Sequence, residues 1–132
     1  MSQNGFRQVT PRLPVRVLEE TIAFYRDHLG FEVEVLWPDA DPTFTILRKD
    51  ATRVGFFVGT EHQPGDIGYA ELYIDVLDVK VLHADLRARV PVEWGPEVYS
   101  YGRREFAVKD PNGYLLIFTE ETEDAPPTPE PL

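Results

Sequence analysis

The sequence predicts an α+β fold in which two βαβββ modules form curved mixed sheets around a cleft. Three observations support this prediction. Apolar residues alternate with polar ones in several short runs, which is typical of strands with one buried face. Two other segments carry apolar residues at helical spacing. The same order of elements then occurs a second time, displaced by about 60 residues, although the two halves share few identities.

The first module is predicted to span residues 8–60. A helix is expected over residues 19–30, because apolar residues recur there every three or four positions. Gly30 stands at its end, where glycine commonly forms the C-cap. The apolar face of this helix consists of Leu18, Ile22, Tyr25 and Leu29. Strands are predicted over residues 8–18, 31–37, 44–49 and 52–60.

A linker, residues 61–68, leads to the second module, residues 69–120. Its helix is predicted over residues 78–90, with Asp78 as the N-cap. The sequence Asp-Pro-Asn-Gly at residues 110–113 strongly indicates a hairpin turn. The apolar face of the helix consists of Val79, Leu82, Leu86 and Val90. Strands are predicted over residues 69–77, 102–109 and 114–120, with a weaker one over residues 91–96.

The two ends of the chain lie outside the modules. Residues 1–7 are predicted to form an N-terminal arm, and residues 121–132 an acidic, proline-rich tail. From residue 120 to the end there are five acidic residues and four prolines but no basic residue. Such a segment has little apolar surface to bury, so we expect a disordered end that aids solubility.

Composition and charge exclude several classes of function. With 13 basic and 23 acidic residues, the net charge of −10 argues against nucleic-acid binding, which needs clustered Lys and Arg. No apolar run approaches the ~20 residues that span a bilayer, and the N-terminal residues lack the apolar core of a signal peptide. The absence of cysteine excludes disulfides, thiolate metal sites and cysteine nucleophiles. We therefore expect a cytoplasmic protein with neither nucleic-acid nor membrane partners.

The sequence also lacks the common motifs for metal, nucleophile and phosphate chemistry. No two of His28, His62 and His83 have the spacing of a chelating pair. The nucleophile motif G-x-S-x-G, the dinucleotide motif G-x-G-x-x-G and the phosphate-binding P-loop do not occur.

Three segments carry a resemblance to a known superfamily. AFYRDHLGFEV, residues 23–33, resembles the helix-to-strand signature of the vicinal oxygen chelate superfamily, which includes glyoxalase I, extradiol dioxygenases and the bleomycin-resistance proteins. LYIDVLDVKVLHADL, residues 72–86, and YGRREFAVKDPNGYLLIF, residues 101–118, are more similar to the bleomycin-resistance branch. Residues 43–57 also fit this branch, and the resemblance covers roughly residues 8–120. It implies a homodimer whose grooves lie between the two subunits and are lined by aromatic side chains.

The enzymes of that superfamily hold a divalent metal with four side chains, usually His and Glu. The resemblance places these positions at Thr10, Phe57, Glu71 and Ile117. Only Glu71 is a strong ligand, whereas a catalytic divalent ion needs about three protein ligands with N or O donors. We therefore expect no metal, no other cofactor and no catalytic residues. A metal-dependent lyase, isomerase or dioxygenase with relocated ligands is the alternative.

Strand alternation predicts which side chains point away from the helices and toward the cleft. A face that combines carboxylates with aromatic rings suits a ligand with planar apolar parts and positive charge. Arg103, Arg104 and Glu105 have a simpler interpretation as surface ion pairs. The predicted ligand-binding residues are Trp37, Phe44, Phe57, Glu71, Tyr73, Asp75, Trp94, Tyr99, Tyr101 and Ile117.

The sequence thus predicts a homodimeric binding protein that works without metal and sequesters a cationic, partly aromatic, drug-like small molecule. Bleomycin-type antibiotics are the example that the resemblance implies. Besides the metal-dependent enzyme, a structural or regulatory module with a vestigial cleft is a further alternative.

Overall fold

The computed structural model describes residues 3–59 and 68–130. The chain divides into two compact units, Met1–Gly68 and Tyr69–Leu132. Each unit contains one helix and one four-stranded sheet, so the predicted α+β fold class is confirmed. Nearly all of the predicted linker lies outside the described residues.

The first unit contains the sheet order β1-β4-β3-β2, with β1 parallel to β4 and the other pairs antiparallel. A mixed sheet results because the helix connects two strands that are not neighbours. The elements are β1 Arg12–Pro14, α1 Leu18–Leu29, β2 Glu32–Trp37, β3 Phe44–Lys49 and β4 Thr52–Phe57.

Helix α1 packs its predicted apolar face against this sheet. Tyr25 is fully buried, and its ring contacts those of Phe31 and Phe56 at centroid distances of 5.5 and 4.9 Å. The helix ends at Gly30, which has a φ of 78° and donates its N–H to the carbonyl of Arg26. The predicted C-cap is therefore confirmed.

The second unit repeats the first in element order and in sheet order, β5-β8-β7-β6. The predicted N-cap is confirmed, because the Asp78 carboxylate accepts a hydrogen bond from the Val81 N–H at 3.1 Å. In the predicted hairpin turn, Asp110 accepts the N–H groups of Asn112 and Tyr114. The elements are β5 Glu71–Asp75, α2 Val79–Leu86, β6 Val92–Tyr99, β7 Arg103–Lys109 and β8 Leu115–Glu121.

Two of the predicted boundaries in this unit need correction. The weak strand predicted over residues 91–96 continues to Tyr99. The sequence Gly95-Pro96 suggests a break, but the strand accommodates both residues through a shift of register against β7 between Trp94 and Glu97. Helix α2 ends at Leu86, earlier than predicted, although Val90 is still buried beyond its end.

Strand β8 includes Glu121, the first residue of the predicted tail. Residues 122–130 contain no helix or strand, yet they form hydrogen bonds with β7 and with the turn that precedes it, where the Thr122 N–H donates to the Gly102 carbonyl at 2.9 Å. Arg104 of β7 donates to the carboxylate of Asp124, and the Ser100 N–H donates to that of Glu130. The predicted disorder of the tail stays a prediction.

Neither helix in the described part of the chain is long and apolar enough to cross a membrane.

Substitutions at two glycines can test how closely β6 packs on β7. Gly95 and Gly102 have φ values of 85° and 84°. A Cβ at Gly95 would lie only 2.8 Å from the Cα of Phe106, whereas at Gly102 the nearest atom would be 3.9 Å away. We expect Gly102→Ala to lower the free energy of unfolding by about 1–2 kcal/mol through backbone strain alone. Gly95→Ala should cost roughly 1–3 kcal/mol more, because the backbone of β7 must move.

Urea unfolding of both variants measures the difference. Equal losses would contradict the close packing of β6 at Gly95.

Candidate functional site

The second unit presents a sheet face that its helix does not cover. Phe106 of β7 contacts the ring of His83 in α2 at a centroid distance of 5.2 Å, so alternate residues of β7 point away from the helix. Glu105 is one of them, and the strand register places it opposite Thr119. We call this side of the sheet the tyrosine–acid face.

The structure brings all seven of the predicted second-unit site residues to the tyrosine–acid face. Their register against β7 and β8 shows this, together with the contacts below. They are Glu71, Tyr73, Asp75, Trp94, Tyr99, Tyr101 and Ile117. Ile117 is only 7% exposed, whereas Tyr73 and Tyr101 are 53% and 61% exposed.

A buried carboxylate lies at the centre of this face. Glu105 is only 3% exposed, and three hydroxyl groups donate to it. Tyr101 donates to Oε1 at 2.7 Å. Thr119 donates to Oε2 at 2.8 Å, and the Tyr73 hydroxyl donates to the same oxygen. Residues from β5, β8 and the turn between β6 and β7 therefore meet at one carboxyl group.

Arg103 adds a cation to the edge of this network. Its Nε donates to the Thr119 hydroxyl at 2.7 Å, and its guanidinium pairs with Asp75. The guanidinium carbon lies 5.9 Å from the centroid of the Tyr73 ring, within the range of a cation–π contact. A cationic side chain of the protein itself therefore already lies beside the Tyr73 ring.

The expected surface ion pairs form with other partners. Arg103 pairs with Asp75 and Arg104 pairs with Glu120. Glu105 pairs with neither arginine in these interactions, because its carboxylate points toward the hydroxyl groups on the tyrosine–acid face.

Two stacked tyrosines extend the face toward the β6–β7 turn. The rings of Tyr99 and Tyr101 are 5.3 Å apart and nearly parallel, at 2°. Tyr99 donates its hydroxyl to Glu97 at 2.5 Å, and Trp94 contacts the Tyr99 ring edge-to-face at 6.4 Å. Three aromatic side chains thus form one continuous platform.

The environment keeps both stacked phenols protonated. Partial removal from water raises the pKa of Tyr99 and Tyr101 far above the ordinary value for tyrosine. The hydrogen bond to Glu97 raises the pKa of Tyr99 further, and that to Glu105 does the same for Tyr101. The charge of Glu130 also contributes at Tyr99, which places the described part of the tail near this platform.

A shallow cavity of about 380 Å³ opens beside Tyr101. The turn residues and the end of β8 form its walls. Its lining residues are Tyr101, Gly102, Arg103, Glu121, Thr122 and Glu123.

The three predicted residues of the first unit also share one sheet face. Phe44 lies opposite both Phe57 and Trp37 in the strand register. The side chain of Arg12 lies across this group, with its guanidinium carbon 4.3 Å from the Phe44 centroid and 5.9 Å from that of Phe57. Strand alternation in the sequence points Arg12 toward the cleft, but the predicted ligand-binding residues do not include it.

The side chains at the four positions of the implied metal site do not fit a metal. Phe57 packs beside the Arg12 guanidinium and Ile117 is a buried hydrocarbon, so neither can donate an electron pair. Thr10 offers a weak neutral ligand, which leaves Glu71 as the one carboxylate. Across residues 3–59 and 68–130, no three His, Asp or Glu side chains form a group that could hold a metal ion.

The raised pKa values of Tyr99 and Tyr101 predict a loss of stability in alkali. Below the tyrosine pKa of about 10 in the unfolded chain, both states hold the phenol protons and the stability is fully present. Above it, the unfolded chain releases protons that the folded chain retains, so the free energy of unfolding falls. We expect the decline between about pH 9 and pH 11 to be smaller in the variant with Tyr99→Phe and Tyr101→Phe. Urea unfolding across this range measures both slopes, and identical slopes would contradict the assignment.

Comparisons with known proteins agree with this architecture. Residues 6–118 match the Glyoxalase/Bleomycin resistance protein/Dioxygenase superfamily. A comparison with curated proteins finds no match. Among solved structures, a bleomycin-binding protein complexed with bleomycin is 24% identical, with a TM-score of 0.69 over 88% of this chain and 99% of that one.

Two further solved structures have similar folds. An antibiotic-binding protein from Streptomyces sp. CB03234 is 21% identical, with a TM-score of 0.70 over 89% of this chain and 98% of that one. A superfamily member from Sphaerobacter thermophilus DSM 20745 is 25% identical, with a TM-score of 0.71 over 88% and 98%. Because the family match extends over most of the sequence, the chain belongs to the glyoxalase/bleomycin resistance protein/dioxygenase superfamily.

Proposed function

We propose that this protein binds and sequesters a cationic, partly aromatic small molecule on the tyrosine–acid face, without a metal ion and without making or breaking a bond. The observation that carries the proposal is the stacked pair of Tyr99 and Tyr101, whose hydroxyls donate to Glu97 and Glu105. Aromatic rings bind planar apolar groups, and nearby carboxylates attract the positive charge.

The hydrogen bonds make these rings better partners for a cation. A phenol that donates its proton to a carboxylate gains electron density on its ring, which strengthens the negative potential over the ring face. Both phenols keep their protons, as their raised pKa values indicate. The rings are therefore held in place by their hydroxyl groups, and the Tyr101 ring is left largely exposed.

Charge on the face favours the same ligand class. The register aligns five carboxylates with only two cationic side chains, Arg103 and Lys109. Both cations are paired, with Asp75 and Glu93 respectively. The carboxylates belong to Glu71, Asp75, Glu97, Glu105 and Glu121.

Two solved structures of similar fold support a binding role. Their names describe a bleomycin-binding protein and an antibiotic-binding protein. Bleomycin is therefore a reasonable first probe for this chain. We include in the proposal that the protein is a homodimer, as the resemblance implies, and that it is cytoplasmic, as its lack of cysteine favours.

The test is a titration with metal-free bleomycin and with benzyltrimethylammonium, a small permanent aromatic cation. Trp94 lies beside Tyr99, so its fluorescence in a Trp37→Phe background reports on the platform. We expect saturable binding that is unchanged by EDTA. Tyr101→Ala should weaken binding of the small cation about tenfold, because an exposed stacking and cation–π partner is worth roughly 1–2 kcal/mol.

A matched pair of charge variants serves as the control. Glu97→Gln removes a carboxylate from the tyrosine–acid face, and Asp85→Asn removes one from α2 on the opposite side of the sheet. Glu97→Gln should weaken cation binding several-fold and Asp85→Asn should not. Absence of saturable binding, a requirement for a divalent metal, or equal effects of the two variants would contradict the proposal.

A further inference from the structure

The turn between β6 and β7 carries the two stacked tyrosines. The Gly102 N–H donates to the Tyr99 carbonyl at 3.0 Å, so residues 99–102 form a β-turn with Ser100 as its second residue. Such a turn closes through its first and last residues and offers no acceptor for the N–H of its second residue. The Ser100 N–H can therefore bond only to solvent or to another part of the chain.

The C-terminal segment of the described chain holds this turn at two points. Where β8 ends, the Thr122 N–H donates to the Gly102 carbonyl at 2.9 Å. The carboxylate of Glu130 accepts the N–H of Ser100. We call residues 122–130 the strap, because they leave the sheet beside one end of the turn and return to the other.

An ion pair fastens the middle of the strap to the sheet. Arg104 of β7 donates to the carboxylate of Asp124 and also pairs with Glu120 at 3.3 Å. The Arg104 side chain is only 12% exposed, so the sheet holds this anchor in place. Three of the nine strap residues are proline, which restricts the free chain and lowers the entropy that docking costs.

The strap brings negative charge to the tyrosine platform. It contains three acidic residues and no basic residue. Partial removal from water and the hydrogen bond to Glu97 raise the pKa of Tyr99, and the charge of Glu130 adds to that effect. A strap that blocked the platform by imitating a cationic ligand would need positive charge. This strap instead adds to the attraction for a cation.

We propose that Glu130 is a positioning residue of the tyrosine platform, where it holds the turn between Tyr99 and Tyr101 and adds a carboxylate beside it. The strap is thus part of the binding site. The effect on cation binding rests on the proposed function, whereas the hold on the turn requires no ligand.

The first test is made without ligand on the full-length protein, by amide hydrogen exchange and by the NMR shifts of the tyrosine ring protons. Glu130→Ala should speed exchange at Ser100 about fivefold or more, because the turn loses the acceptor for this N–H. The ring shifts of Tyr99 and Tyr101 should move toward those of free tyrosine.

Two matched variants separate this role from a general loss of structure. Glu130→Gln keeps an oxygen acceptor, so it should restore part of the slow exchange at Ser100. Glu123→Ala removes a charge from the same strap without removing the acceptor, and should change this exchange less than about twofold. Exchange at Phe106, which is fully buried in β7, should stay the same in all three variants, because the change is local.

The second test is a calorimetric titration with benzyltrimethylammonium. Glu130→Ala should weaken cation binding about threefold, because both the carboxylate and the hold on the turn are lost. Glu130→Gln should weaken it about twofold, because only the charge is lost. Asp85→Asn, on the opposite side of the sheet, should leave the affinity unchanged.

Equal exchange at Ser100 in the wild-type protein and in Glu130→Ala would overturn the inference, and a disordered tail predicts that result. Equal effects of Glu130→Ala and Glu123→Ala on this exchange would also overturn it, as would a cation affinity that Glu130→Ala leaves unchanged. Absence of cation binding to the wild-type protein would instead contradict the proposed function and remove the binding role of Glu130. The exchange measurements would then decide alone whether the strap holds the turn.

Discussion

The buried carboxylate of Glu105 organises the tyrosine–acid face of the second unit. An ionised carboxylate that is removed from water costs several kcal/mol unless hydrogen bonds replace its hydration. Here Tyr73, Tyr101 and Thr119 supply those hydrogen bonds. Because the carboxylate needs all three hydroxyls, it fixes the positions of two exposed tyrosine rings that local packing alone would leave free to rotate.

The same interaction explains how the tyrosine–acid face can be both rigid and exposed to solvent. The tyrosines are held by their hydroxyl ends, which meet at Glu105, so their rings are not needed to fill a core. Tyr101 can then stack on Tyr99 while 61% of its surface stays exposed. The first unit has a comparable device of opposite charge, in which the ring of Phe44 orders the guanidinium of Arg12. In both units a polar or charged group and an aromatic ring fix each other on the side of the sheet that the helix leaves uncovered.

The sequence predicts best what depends on neighbouring residues. Local spacing and residue type predict both helices, the C-cap at Gly30, the N-cap at Asp78 and the turn at residues 110–113. All are confirmed except the end of α2, which comes earlier than predicted. The end of β6 is predicted less well because Gly95-Pro96 indicates a break. Pairing with β7 keeps the strand continuous across these two residues, and a local sequence pattern does not reveal pairing between strands.

In the candidate site, too, features set by neighbouring residues are predicted better than contacts between distant strands. Alternation along β5 assigns Glu71, Tyr73 and Asp75 to one face, and the register bears this out. The sequence contains enough information to pair Glu105 with Thr119, because counting back from the hairpin turn places the two residues opposite each other. Its hydrogen bond to Tyr73 depends on a parallel pairing with β5 that no turn specifies. The contact between Arg12 and Phe44 likewise depends on strands that are distant along the chain.

The most direct test of the central claim is calorimetric titration of the Glu105→Gln variant with benzyltrimethylammonium. The substitution keeps the size of the side chain but removes its charge and replaces one acceptor with a donor. If Glu105 fixes the tyrosine platform, the affinity should fall at least tenfold relative to the wild-type protein. The free energy of unfolding should fall by about 1–3 kcal/mol, the cost of leaving buried hydroxyls without acceptors. An affinity equal to that of the wild-type protein would show that the platform does not depend on Glu105 and would contradict the account.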